Sequence, residues 1–279
     1  MNGRMLRRTI PVGVLLVLLL VISYQLVWGK LFAYSPVRPG FTRHDLARAA
    51  VSVEEGSPFD RFAEIDSLID DVEQAHGLTF TARPHILIFA DSSSYLRRST
   101  TRARFCAYPN GSLVVSPWAV REAHEGTISM EIYLSHELSH TLLYQHMDAV
   151  NAYCCFPSWF MEGVAVYNAR QMGTSWYPSR EETYALIRKG NFVPPDWFGT
   201  SREDSLHLTV PYRSTFAYSE FACLVDHLIE RHGKEKFDRY MSGLLRTYRH
   251  DALFREVYGI DFGTFVEEFK AHAEHGLPG

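Results

Sequence analysis

The hydrophobic pattern opens with one long apolar run and then changes to shorter, periodic stretches. Ile10 to Trp28 is apolar apart from Pro11, Gly13, Ser23 and Gln25, and at about 19 residues it is long enough to cross a bilayer. Phe59 to Gln74 has the spacing of an amphipathic helix ending near Gly77,. Pro84 to Ala90 reads as a buried strand, Asp91 to Ser94 as the cap of a further helix, and Gly111 to Ser116 as a strand after an Asn110-Gly111 turn,. Between Thr127 and Met147 there is neither proline nor glycine, and Ile128, Ile132, Leu134, Leu138, Leu142 and Leu143 form an apolar face. That predicts a well-buried helix. Pro157 and Ser158 start another helix, with Ser158 as its N-cap and an end near Gly173,. A helix opening at Ala217-Tyr218 runs to His232-Gly233, and short helices carrying Phe237, Phe254, Phe262, Phe265 and Phe269 follow. The pattern as a whole is α+β.

Charge assigns a direction to the first run. Arg4, Arg7 and Arg8 precede it, so the positive-inside rule keeps that end cytoplasmic and sends the remainder outward. Residues 1–30 are expected to be a signal anchor, a single transmembrane helix. A cleaved signal peptide is the alternative, although Leu31 to Ser35 makes a poor cleavage site,. Residues 31–57 read as a linker with a stiff spacer from Pro36 to Gly40, and residues 58–279 as one globular domain, large enough for a sizeable core. Hydrophobic residues make up 46% and aromatics 14% of the chain, which excludes disorder. A net charge of −4 with interspersed signs shows no nucleic-acid footprint,.

The candidate chemistry is concentrated in His136-Glu137-Leu138-Ser139-His140. Residues four apart on a helix lie roughly 40° apart in azimuth and about 6 Å along the axis. Two imidazoles so placed can share one tetrahedral Zn²⁺, and the intervening glutamate can take a proton from water at the open position. A third ligand is needed, and there are two candidates. His146 sits where a metzincin carries its third histidine, but Leu143 replaces the glycine that would return the chain to the metal,. Glu162 lies among Trp159, Phe160, Met161 and Val164, where an unpaired carboxylate is costly to bury and a metal would compensate it. Glu162 is the expected ligand.

His136-Glu137-x-x-His140 followed about twenty residues later by Trp159-x-x-Glu162-Gly163-x-Ala165 resembles the gluzincin metallopeptidases. More narrowly it is similar to the peptidase-MA-like proteins related to the aminopeptidase-N and thermolysin catalytic domains. The likeness spans residues 59 to 272. The stretch between His140 and Glu162 departs from it, being a few residues longer than in thermolysin-like enzymes and holding Cys154-Cys155. The resemblance implies a thermolysin-like zincin domain, a small mixed sheet over the active-site helix with a mostly helical C-terminal subdomain. It implies one Zn²⁺ held by His136, His140 and Glu162, with Glu137 as general base and later acid. It also implies a phenol donating to the oxyanion: Tyr218, at the family's Ala-Tyr position, with Tyr212 as the alternative. In such enzymes an edge strand binds extended peptide by backbone pairing, and the Gly111–Ser116 strand is expected in that role.

Four cysteines in an oxidising compartment permit disulfides. Cys106 is expected to pair with Cys154 or Cys155, the other reading being buried free thiols. The pocket that selects side chains is expected in loops at Tyr177–Arg188 and Asn191–Tyr212. The expected function is a membrane-anchored, extracytoplasmic zinc metallopeptidase with peptide or protein substrates. The alternative is a peptidase-like metal-binding protein with a binding or assembly role.

Overall fold

The computed structural model describes residues 3–195 and 206–275, with side chains from residue 13 onward. The N-terminal half contains α1 (Gly3–Trp28), a 3-10 turn (Phe32–Tyr34), β1 (Phe41–Asp45), β2 (Ala50–Glu54), α2 (Ile65–His76), β3 (His85–Ile88), α3 (Ser92–Arg98), β4 (Phe105–Ala107), β5 (Ser112–Val115), α4 (Pro117–His124) and α5 (Met130–Gln145). After a π-type turn at Asn151–Cys155 come α6 (Ser158–Asn168), α7 (Arg180–Arg188), α8 (Arg213–His232), α9 (Lys234–Leu244), α10 (His250–Tyr258) and α11 (Phe262–His275).

The five strands form one sheet in the order β1-β2-β3-β5-β4. β2, β3 and β5 run parallel, and β1 and β4 are antiparallel edges. Because side chains alternate across a strand, Ile86, Ile88, Leu113 and Val115 face α2 and α5, meeting Ile65, Ile69, Leu134, Leu138 and Leu142. Leu87, Phe89 and Val114 face the other way, onto Phe32, Tyr95 and Tyr108. With both faces covered, these strands read as continuous apolar runs and not as alternating ones. A second core surrounds α8, where Phe216, Phe221 and Leu224 meet Phe160 and Val164 of α6 and Phe254, Phe265 and Phe269 of the last helices.

Several expectations are corrected. Residues 31–57, read as a linker, carry β1 and β2, and Phe32 is fully buried. β1 pairs with β2, and β2 joins the sheet through distant β3, a partner that local composition does not reveal. The Gly111–Ser116 strand is internal, between β3 and β4, and the edge is the three-residue β4. α2 begins at Ile65, although Phe59 is buried against the same core. The N-cap of α6 is Pro157, with no side-chain cap bond, and the helix stops at Asn168 because Arg170 turns left-handed (φ 51°). Part of the supposed 177–188 loop is α7, started by a Ser179–Glu182 capping box,. Within the 191–212 stretch, residues 196–205 lie outside the described residues. Asp91 does cap α3, accepting from Ser94 N at 2.7 Å.

α1 is 26 residues long, and Val14 to Ile22 are exposed along it. Among the described residues no helix is long and apolar enough to cross a membrane.

Candidate metal centre and cleft

α5 starts at Ser129, whose side chain accepts from Ile132 N, and its buried face carries both motif histidines. His136 and His140 are 5% and 7% exposed, and their Nε2 atoms face each other at 3.0 Å. Glu162 Oε2, from α6, lies 3.3 Å from His136 Nε2 and 3.5 Å from His140 Nε2. Among the described residues this is the one cluster of three such side chains that can hold a metal ion. Tetrahedral zinc with bonds of about 2.0–2.1 Å needs donor atoms about 3.3–3.4 Å apart, so the three atoms fit the ion. Glu162 Oε2 is buried and has no hydrogen-bond donor, which also points to a cation between the three groups.

The same proximity governs protonation. Burial pushes the Glu162 carboxyl up, but the adjacent His140 and His136 hold it well below the ordinary carboxylate range. Burial lowers His140, and the Glu162 carboxylate reverses this to a net rise. A carboxyl kept ionised in this way sets one charged oxygen beside two ring nitrogens, the donor set a cation takes once the nitrogens are deprotonated.

Gln171, fully buried after α6, receives His136 Nδ1 on its Oε1 at 2.8 Å. Donation from Nδ1–H fixes the tautomer and leaves the Nε2 lone pair aimed at the cluster. Sequence reasoning missed Gln171. A single glutamine past a helix end reads as a loop residue, and only its 0% exposure distinguishes it.

Glu137 Oε2 accepts from Ala107 N at 2.7 Å. Antiparallel strands turn alternate residues toward and away from the partner. Arg104 O accepts from Ser116 N and Tyr108 N donates to Ser112 O, so Phe105 and Ala107 turn their backbone groups outward. β4, not β5, therefore presents its free edge beside the general-base candidate. The cleft between β4 and α5 has a volume of about 510 Å³ and is lined by Arg104 to Ala107, the three cluster residues, Glu137, Tyr144 and an aromatic wall of Trp176, Tyr177 and Tyr218.

Tyr218 stacks on His136 with ring centres 6.3 Å apart. Burial, followed by the Glu162 carboxylate, raises its pKa well above that of an ordinary phenol. It stays protonated and able to donate. Tyr212 is outside this cleft, 55% exposed and beside Trp176. His146 points away from the cluster, its Nε2 donating to Thr79 O at 2.8 Å. All four cysteines are free. Cys106 lies in the cleft on β4, its thiol pushed up to about 12 mainly by burial. Cys154 and Cys155 sit in the Asn151–Cys155 turn and Cys223 is buried in α8, so the expected bridge from Cys106 is absent.

The three candidate ligands are thus split between two helices, with the general-base candidate beside a sheet edge. The chain is similar to two solved structures from Deinococcus radiodurans, an M1 zinc metallopeptidase and a point mutant of it. Identity is 14% and 12%, and the TM-scores are 0.42 and 0.41. Each match covers 85% of this chain and 52% of the other, so the chain spans about half the length of those structures. No protein-family model matches it, and no curated protein does.

Proposed function

We propose that this gluzincin-like protein is a zinc metallopeptidase that hydrolyses peptide bonds, anchored to a membrane by α1 with its cleft on the extracytoplasmic side. The observation that carries the reading is the convergence of His136 Nε2, His140 Nε2 and Glu162 Oε2 within 3.5 Å of one another. The Glu137 carboxylate stands beside them, held to the free edge of β4. Support for the anchor comes from the apolar run with Arg4, Arg7 and Arg8 before it and from the exposed residues Val14 to Ile22,.

His136, His140 and Glu162 would hold the ion. Zinc bound there supplies Lewis acidity that brings the pKa of water near neutrality and polarises a carbonyl. The remaining chemistry belongs to the chain. Glu137 takes a proton from the attacking water on a carboxylate oxygen and later delivers it to the leaving amine nitrogen. The protonated Tyr218 hydroxyl donates to the oxygen that gains charge in the tetrahedral intermediate. The outward backbone N–H and carbonyl of Phe105 pair with an extended substrate.

Metal analysis and peptide turnover test the reading together. The purified chain is expected to hold one zinc, lost in Glu162→Ala and kept in His146→Ala. Glu137→Gln is expected to keep the metal and lose peptide cleavage. A wild type without zinc after metal loading would overturn the reading. A zinc-bound wild type that cleaves no peptide would favour the binding-protein alternative. Membrane attachment is tested separately: the full chain is expected to stay with membranes through carbonate washing, and a chain starting at residue 30 to be released.

A further inference from the structure

α1 joins the rest of the chain without a slack segment. Gly29 N and Leu31 N donate to Gln25 O at 3.2 and 3.1 Å, and Lys30 N donates to Gln25 Oε1 at 2.9 Å. Lys30 Nζ reaches Leu96 O and Ser99 O, at the end of α3, at 2.6 and 2.7 Å. The buried Arg98 guanidinium lies 4.8 Å from the Trp28 ring and 4.6 Å from that of Phe32. Phe32 is itself fully buried, and the next carbonyl, Ala33 O, accepts from Ser112 Oγ at 2.8 Å and from Asn110 Nδ2 at 2.9 Å. From Trp28 to Phe32 the chain can reach at most about 14 Å. The core is therefore fastened to the last turn of the helix.

Large hydrophobic side chains exposed outside α1 are few among the described residues, and all but Tyr212 connect to this junction. Leu31, Tyr34 and Val37 belong to the segment that follows α1, and Leu96 is the residue whose carbonyl holds Lys30. Tyr34 Oη is 2.9 Å from Tyr153 Oη, which brings in the turn after α5 with its exposed Val150. Tyr248 joins the same turn by donating to Asp148 Oδ2 at 2.5 Å. Tyr108, the next residue past β4, meets the ring of Tyr34 edge-on at 5.9 Å, so the group begins beside the strand that borders the cleft. Exposed apolar side chains scattered singly need no explanation, but a connected group of them marks an interaction surface.

We infer that this surface lies in the headgroup layer of the bilayer that α1 enters, so that the domain rests on lipid by one fixed face and does not swing on a tether. The inference rests on the anchor proposed above and is independent of the peptidase chemistry. The apolar run from Ile10 to Trp28 has a length of about 28 Å as a helix, close to a hydrocarbon thickness of about 30 Å. Trp28 then emerges at the outer boundary, and Leu31 and Tyr34 follow directly into the headgroup layer. That boundary is where tryptophan and tyrosine rings concentrate, apolar body inward and polar tip toward water. Trp28, Tyr34, Tyr153 and Tyr248 supply such rings. Arg97 and Arg249, exposed next to Leu96 and Tyr248, set guanidinium groups at the level of the lipid phosphates.

The test reads lipid contact on the full chain reconstituted into phosphatidylcholine vesicles. Cys106→Ser, Cys154→Ser and Cys155→Ser leave only the buried Cys223. One environment-sensitive fluorophore is then attached through Val150→Cys, through Tyr248→Cys or, outside the face, through Lys189→Cys, all at exposed positions. Lipids carrying a nitroxide on the headgroup are expected to lower the emission at positions 150 and 248 by at least about twofold and to leave that at position 189 unchanged. Unquenched emission at position 150 or 248, in a chain that stays with the vesicles through carbonate washing, overturns the inference and leaves the anchor standing. Quenching at position 189 as strong as at position 150 also overturns it, because the domain then has no fixed face on the lipid. A chain released by carbonate overturns the anchor and the inference with it.

Discussion

At the scale of single residues, Gln171 shows how much a site depends on a group that never touches substrate. Its amide oxygen holds His136 Nδ1 at 2.8 Å, a directional contact that the stacked ring of Tyr218 cannot replace. Gln171→Ala leaves the imidazole free to rotate and to change tautomer. Zinc affinity is expected to fall by about 10- to 100-fold, measured by competition with a chromogenic chelator, while the far-ultraviolet circular dichroism stays unchanged. Unaltered affinity would show that packing alone orients the ring. Sequence gave no route to this residue. The motif histidines announce themselves by their spacing, whereas an outer partner is identified only by where the turn after α6 returns.

At the scale of elements, the junction of α6 and α8 sets the third ligand. Gly163, beside Glu162, lies against α8 so closely that an added Cβ would stand 2.6 Å from Phe221 O and 2.8 Å from its carbonyl carbon. Those are backbone atoms of a helix and cannot swing aside. Gly163→Ala therefore has to push apart the helices that carry Glu162 and Tyr218. A loss of about 1–3 kcal/mol is expected from overpacking, with weaker zinc binding, read by urea denaturation and metal titration on the same preparation. Normal stability and affinity would mean that the contact relaxes at no cost. The Glu-Gly pair was legible as part of a motif. Its physical reason, the close approach of a helix some sixty residues further along, was not. The edge strand illustrates the same limit. Phe105-Cys106-Ala107 is too short to show alternation, and the Gly111–Ser116 strand looked like the better edge until pairing with both neighbours placed it inside the sheet.

For the molecule as a whole, buried imidazoles link stability to pH. His76 is 1% exposed, contacts Ser139 Oγ and Val72 O, and is lowered to about 4, chiefly by burial. An unfolded histidine titrates near 6.5. Between those values the unfolded chain binds the proton and the folded chain does not. The stability is thus complete above about 6.5 and declines as pH falls toward 4, by up to about 3 kcal/mol for a group so fully buried. Urea unfolding of the metal-stripped chain at pH 7.5 and 4.5 is expected to show this fall, reduced in His76→Gln. An equal acid dependence in wild type and variant would exclude His76 as a source.

The sequence by itself determined what local spacing can encode. Two histidines one helical turn apart, a glutamate beside the first of them and a carboxylate in an otherwise apolar helix define the members of the cluster, because the period of a helix places i and i+4 on one face. The Asp91 cap and the helical C-terminal half were legible for the same reason. Tertiary structure decided what depends on pairing between distant segments. It put β1 and β2, from the 31–57 stretch, into the sheet, made β4 a free edge, turned His146 onto Thr79, left the cysteines unpaired and brought Tyr34 to Tyr153. Each of these is fixed by a contact between segments far apart in the chain, and no periodicity in a single segment records its partner.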